Sequence, residues 1–148
     1  IALSNEAKLP VHSKALQMYL AFWAWYANEH QQAISIVDNQ YALLFEKEFY
    51  FECALAINIK SLIEWSKGAL ENAFELILEY LDKFRQKQIQ GTATAKLHIS
   101  LAMIYFDLSE LELSKKHYQC CQKELHACVL LYDYSMDCYS LIGPNMIL

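Results

Sequence analysis

Apolar and small residues recur along this chain at an almost constant separation. The separation is 40 residues from the first set to the second and 41 from the second to the third. A period of this length is typical of repeat proteins, whose units bury their apolar faces only against neighbouring units. The sequence therefore predicts three copies of one supersecondary unit. Corresponding positions are Trp23, Ile63 and Ile104 in one set and Ala33, Ala73 and Ser114 in another.

Each unit is predicted to be a pair of helices. Apolar residues lie three or four apart throughout, and the chain holds only 3 Gly and 2 Pro, too few for the turns of a sheet protein. Ser109 and Glu112 have the spacing of a capping box, and Gly91 permits the left-handed turn that ends a helix. The expected helices cover residues 13–27, 29–46, 49–67, 69–87, 92–108 and 110–131, with a short last helix near 133–142.

The predicted fold class is all-α: a right-handed superhelix of three tandem helical hairpins, followed by a short C-terminal helix. The hairpins cover residues 13–47, 49–90 and 92–131 of one domain, residues 1–148. The single extra residue of the longer period fits the joint at 88–91, where it shifts no packing face. Small residues are expected where paired helices approach most closely: Ala21, Ala33, Ser61, Ala73, Ala102 and Ser114.

The third unit resembles a tetratricopeptide repeat, with a large, a small and an aromatic residue in its first helix and a small, an aromatic and a small residue in its second. The motif residues are Leu101, Ala102 and Tyr105, then Ser114, Tyr118 and Cys121. The other units fit more loosely: the Trp and Pro typical of the family are absent, and the period exceeds the usual length of about 34 residues.

Such long-period units resemble the TPR-like domains of bacterial signalling proteins. These domains stand beside outputs such as diguanylate cyclases or DNA-binding domains, or receive peptide pheromones. The resemblance, which covers about residues 13–131, implies a non-catalytic protein- or peptide-binding scaffold. It also implies the sensory or assembly domain of a bacterial signalling regulator.

The first helices of a TPR-like array line its concave side, which makes their inner faces the candidate binding groove. Trp25, Trp65 and Phe106 form an aromatic row at equivalent positions, suited to a peptide or an amphipathic helix. The same rings could instead fill the core between repeats. The candidate groove consists of Tyr19, Phe22, Trp25, Tyr26, Asn58, Leu62, Trp65, Lys96, Met103, Phe106 and Asp107.

Two further functions fit the same pattern. The first helix is apolar almost all round, which favours cover of one side by a partner, a second copy or the rest of a longer chain. A homodimerisation module would use this helix or the segment 132–148, which lacks the polar cap of a terminal repeat. A receptor for a small apolar ligand would hold it between the aromatic rings.

The charges and the cysteines bear on partners and localisation. The net charge is -5, and the small basic group of Lys83, Arg85 and Lys87 suits a solvated helix end better than nucleic acid. An odd number of cysteines, 5, without framework spacing fits reduced thiols in the cytoplasm. The longest apolar run, residues 18–27, is half the length of a bilayer span, so no membrane association is expected.

Catalytic and metal-binding patterns are not expected. Glu71, Glu75 and Glu79 lie on one side of a predicted helix, and a solvent-exposed face explains them better than a catalytic pair of carboxylates. The sequence also has no Gly-rich loop that could hold phosphate. His117 and Cys121 lie four apart and would form half of a zinc site at most. The sequence therefore predicts neither an enzyme nor a cofactor or metal site.

Overall fold

The structure is a computed structural model that describes residues 11–38 and 40–126. All regular secondary structure within these ranges is α-helical, which confirms the predicted all-α class. The expected helix at 133–142 and the expected end of the sixth helix lie outside the described residues. The helices are α1 (Val11–Tyr26), α2 (His30–Val37), α3 (Gln40–Glu46), α4 (Tyr50–Ser66), α5 (Leu70–Gln86), α6 (Thr92–Asp107) and α7 (Leu111–His126).

The helices pack both in sequential pairs and side by side. The pairs are α1 with α2, α4 with α5 and α6 with α7, while α4 lies between α1 and α6 and also contacts α2 and α3. This central position explains why α4 is apolar on every side: all side chains from Cys53 to Ile63 are buried except that of Lys60. The main core is therefore built around α4, and a smaller one lies between α6 and α7.

Small residues stand at the helix contacts, as the sequence predicts. All six small residues named above are fully buried. Ser114 also donates a hydrogen bond from Oγ to the carbonyl oxygen of Ala102 (2.7 Å), which satisfies its hydroxyl inside the α6–α7 contact.

One type of turn ends α1, α3, α4, α5 and α6. In each, a residue with positive φ is followed by a residue whose N–H bonds to the carbonyl five positions back, as in Ile89 to Phe84 (2.9 Å). This is the Schellman arrangement, which satisfies the last carbonyls of a helix and turns the chain sharply. The positive-φ residues recur every 20 or 21 positions, at Asn28, Glu48, Gly68, Gln88 and Ser109.

These turns correct two predictions about helix ends. Ser109 is not the cap of a capping box: its φ is 63°, and the carbonyl of Glu110 accepts the first bond of α7, from Ser114 (2.9 Å). Gly91 does not end α5, because Gln88 takes the left-handed conformation there. Gly91 instead precedes α6 with a φ of 105°, and its N–H donates to Oε2 of Glu124 (2.7 Å).

The helix expected over residues 29–46 is interrupted. The backbone of Asp38 is extended (φ -60°, ψ 127°), which separates α2 from α3. Asp and Asn form poor helix interiors because their side chains compete for backbone hydrogen bonds. The Asp38 carboxylate instead accepts from Lys60 Nζ of α4 (2.5 Å). The prediction of one continuous helix was therefore wrong at this position.

Candidate interaction surface

The middle of the predicted groove is filled. Asn58, Leu62 and Lys96 are all at least nine-tenths buried, so these three residues are not open to a partner as predicted. The ammonium group of Lys96 on α6 lies 5.7 Å from the ring centroid of Phe22 on α1. Side chains of these two helices therefore contact each other although α4 lies between the helices. The physical reason is that α1, α4 and α6 converge closely enough for their inner side chains to touch.

Polar contacts join α4 to α6 at two places along this face. Asn58 Nδ2 donates to Ser100 Oγ, and Ser100 Oγ donates in turn to the carbonyl of Lys96 (3.0 Å). Two helical turns further on, Trp65 Nε1 donates to Asp107 Oδ2 (3.3 Å). Asn58 and the indole of Trp65 are thus used within the chain, where they hold the two helices in register.

The aromatic row is divided between core and surface. Trp25 and Trp65 are partly buried against the main core, whereas Phe106 is 37% exposed. Met103 packs against the smaller core, and Asp107 is exposed. The three rings therefore do not form one continuous exposed surface.

Among the residues that the structure describes, five of the ten large apolar side chains that are exposed lie on α1. These five stand at the helical positions i, i+3, i+4, i+7 and i+10, and their exposed fractions lie between 42% and 73%. Their spacing places them on one side of the helix. We call this surface the α1 stripe; it consists of Leu16, Tyr19, Leu20, Trp23 and Tyr26.

The α1 stripe is exposed because little of the described chain packs on this side of α1, where Glu52 of α4 reaches Tyr19. Trp23 is 63% exposed, whereas Ile63 and Ile104, its counterparts in the repeat pattern, are fully buried. The predicted groove included Tyr19 and Tyr26 but omitted Leu16, Leu20 and Trp23. The apolar character of the first helix on all sides was the signal that could have located them.

A groove continues from the α1 stripe between α1 and the α2–α3 segment. Its volume is about 740 Å³, and Leu20 and Trp23 line it together with Ile36 of α2. Polar side chains lie at the same groove: Gln17, Glu29, Gln32, Ser35 and Gln40. An apolar floor with polar groups beside it is the usual composition of a protein docking site.

Charge is nearly absent from the α1 stripe. No Asp, Glu, Lys or Arg occurs from Leu16 to Asn28, and Glu29 is the first charged residue after this segment. Burial raises the pKa of Tyr19, and so do the charge of Glu52 on α4 and a hydrogen bond to it. The hydroxyl of Tyr19 therefore stays neutral, and the stripe offers rings, methyl groups and hydroxyls without a formal charge.

Two histidines form a second group of interest, between α6 and α7. The Nδ1 atoms of His98 and His117 are 3.1 Å apart, and the ring of Tyr105 stacks on His117 with a centroid distance of 5.5 Å. Burial lowers the pKa of both histidines; that of His117 falls to about 4, with further contributions from His98 and Lys116. A cavity of about 530 Å³ borders His98.

This pair does not amount to a metal site. Nowhere in residues 11–38 and 40–126 do three or more His, Cys, Asp or Glu side chains converge as metal ligands would. His117 contacts His98 and Tyr105, and Cys121 is buried in the smaller core.

Comparisons with other proteins and with the requirements of a bilayer give negative results. Among the described helices, none is both long and apolar enough to cross a membrane. No family model, curated protein or solved structure matches the chain. The α1 stripe and its groove are consequently the observations from which a function can be inferred.

Proposed function

We propose that the protein is a non-catalytic scaffold that binds a helix of a protein partner on the α1 stripe. The observation that supports this proposal is the continuous exposed apolar face of α1 beside a groove of about 740 Å³. Helix-in-groove recognition uses apolar anchors spaced three or four residues apart, and the stripe offers that spacing. Trp and Tyr, which contribute three of its five side chains, are the residues most enriched among binding hot spots.

The amount of apolar surface is large enough for a docking site. Taking 150–250 Å² for an aromatic side chain, the five residues expose roughly 600 Å² together. This area equals the upper end for the largest apolar patch of a typical monomer, roughly 300–600 Å². Covering it would stabilise a complex by about 15 kcal/mol before the costs of association, at about 25 cal/mol per Å².

The wider setting is also part of the proposal. The recurrence of one turn every 20 or 21 residues, together with the tetratricopeptide-like motif of the third unit, supports a right-handed superhelix of TPR-like hairpins. In such an array, α1 is the open edge against which a further hairpin or a partner helix would stack. We place the chain, on the same resemblance, among the sensory or assembly domains of bacterial signalling regulators in the cytoplasm.

Affinity capture with matched variants tests the proposed surface. The tagged protein, its Trp23→Lys variant and a Leu78→Lys control are used as baits in a lysate of the native cells. Leu78 lies on α5, outside the α1 stripe, and is 47% exposed. We expect the wild type and the control to retain the same proteins and Trp23→Lys to lose them, because burying an ammonium group in an apolar contact is costly.

Two results of this capture experiment would contradict the proposed binding surface or the proposed function. If Trp23→Lys keeps its helical circular dichroism and retains every protein that the wild type retains, the α1 stripe is not the binding surface. If no retained species, including an untagged copy of the chain, depends on Trp23, the proposed function is wrong.

A further inference from the structure

We infer that the occupant of the α1 stripe is a second copy of this chain, so that two α1 helices pack on each other about a two-fold axis. This inference rests on the proposed function, since it names the partner of the same surface. It requires that the stripe be complementary to itself in charge, in area and in the spacing of its side chains.

The charge distribution favours a second copy. Two chains that each carry a net charge of -5 repel one another, so a contact between them is most favourable where charge is absent. A two-fold axis also brings like charges of equivalent residues together near its centre. The segment from Leu16 to Asn28 has no Asp, Glu, Lys or Arg, so the stripe itself brings no charged side chain to the axis. The carboxylates beside it, those of Glu29 at the groove and Glu52 next to Tyr19, belong to the border of the contact.

The exposed area is consistent with the same occupant. Roughly 600 Å² from each copy makes roughly 1,200 Å² in total, the lower limit of a specific protein interface. The polar residues beside the groove, such as Gln17 and Gln32, would add a rim to this apolar centre. A second copy brings an apolar stripe of equal length, so that it can cover the whole surface.

The side-chain spacing suits an antiparallel pair. From Leu16 to Tyr26 the stripe spans about 15 Å. Four of its residues, Leu16, Tyr19, Trp23 and Tyr26, are separated by three, four and three positions, as the core positions of paired helices are, and Leu20 stands next to Tyr19. With the axis level with position 21, Leu16 of one copy lies against Tyr26 of the other, Tyr19 lies near Trp23, and the two Leu20 side chains lie beside the axis. Each large ring thus packs against a smaller or offset side chain rather than against itself.

A charge-swap experiment at Leu20 tests this arrangement. Leu20→Lys and Leu20→Glu are prepared separately, and their masses are measured by light scattering alone and after mixing. Each variant alone should be monomeric, with a dissociation constant raised about 100-fold, because like charges meet unpaired at the axis. The mixture should regain the dimer mass of the wild type, since Lys of one copy then pairs with Glu of the other. The pair Leu78→Lys and Leu78→Glu should be dimeric throughout.

The outcomes separate this inference from the proposed function. Restoration of the dimer on mixing supports it and excludes misfolding as the cause of dissociation. A wild type that stays monomeric at high concentration overturns it, as does a Leu20→Lys variant that remains dimeric. If the wild type is monomeric but still captures another protein in a Trp23-dependent manner, the second copy is excluded and the proposed binding surface stands.

Discussion

The pKa values of His98 and His117 are lowered because the two rings are buried next to each other. Their Nδ1 atoms are 3.1 Å apart in the α6–α7 contact, so the nitrogen that donates in one ring must meet a lone pair in the other. Protonation of the accepting nitrogen would remove its lone pair, and protonation of both rings would place two positive charges side by side. The pair is therefore neutral in the folded protein, and its burial lowers the pKa of both rings.

This arrangement predicts a loss of stability in acid. The ordinary pKa is 6.5 and that of His117 is about 4, so between these values the unfolded chain takes up protons that the folded protein does not. The contribution to the free energy of unfolding is complete above pH 6.5 and is lost progressively as the pH falls towards 4. Urea unfolding at a series of pH values should show this fall, and His117→Gln should reduce it. An unchanged pH profile in the variant would show that the pair does not govern acid stability.

Sequence could predict burial at individual positions only where the environment is the same in every unit. The six small residues at helix contacts are buried because each faces the partner helix of its own hairpin or a neighbour. Trp23 follows the same pattern as Ile63 and Ile104, but its exposure depends on whether anything packs outside α1. The apolar composition of α1 indicates that one more side of this helix is suited to cover, but no local pattern encodes whether that side is covered. The burial of Lys96 likewise depends on how closely α6 approaches Phe22, a tertiary property.

At the scale of elements, the Schellman turns set the direction of each successive helix. Asn28, Glu48, Gln88 and Ser109 adopt a left-handed conformation that L-residues other than glycine rarely take, and Gly68 alone among the five positions is a glycine. Asn tolerates this conformation, but Glu48, Gln88 and Ser109 disfavour it, so at these three joints the packing of the adjoining helices imposes the turn.

Substitutions at two of these turns should have opposite effects. At Gly68, φ is 84° and an added Cβ would meet no atom within 4 Å, so Gly68→Ala should cost about 1 kcal/mol through backbone strain alone. Glu48→Gly should stabilise the protein by about 0.5–1 kcal/mol, because it relieves that strain where φ is 65°. Chemical denaturation measures both changes. Effects of the same sign would mean that the turn conformation does not determine the stability of these joints.

The sequence predicted which segments are helical better than where they begin and end. Apolar periodicity alone indicates the helical segments. The helix ends depend on residues with positive φ, and the identities of Gln88 and Ser109 do not predict that conformation. Gly91 was an obvious candidate to end α5, yet the chain turns three residues earlier at Gln88. The break at Asp38 likewise reflects a contact with Lys60 of another helix, which no local pattern could show.

Within residues 11–38 and 40–126, the centre of the molecule is well covered and one face of α1 is exposed. The helix α4 is enclosed by its neighbours, whereas α1 has a similar apolar composition and keeps five large apolar side chains exposed. An exposed apolar face of this kind is surface available for association. The proposed function and the proposed second copy both follow from this asymmetry.

The most direct test of the central claim is the solvent exposure of Trp23 during association. The three Trp residues can be labelled with fluorotryptophan, and their fluorine NMR signals assigned with single Trp→Phe variants. The solvent isotope shift of each signal is then followed from low to high protein concentration. We predict that the Trp23 signal loses its solvent exposure as dimers form, while those of Trp25 and Trp65 change little. A Trp23 signal that remains exposed in the associated protein would contradict the claim that the α1 stripe is the working surface.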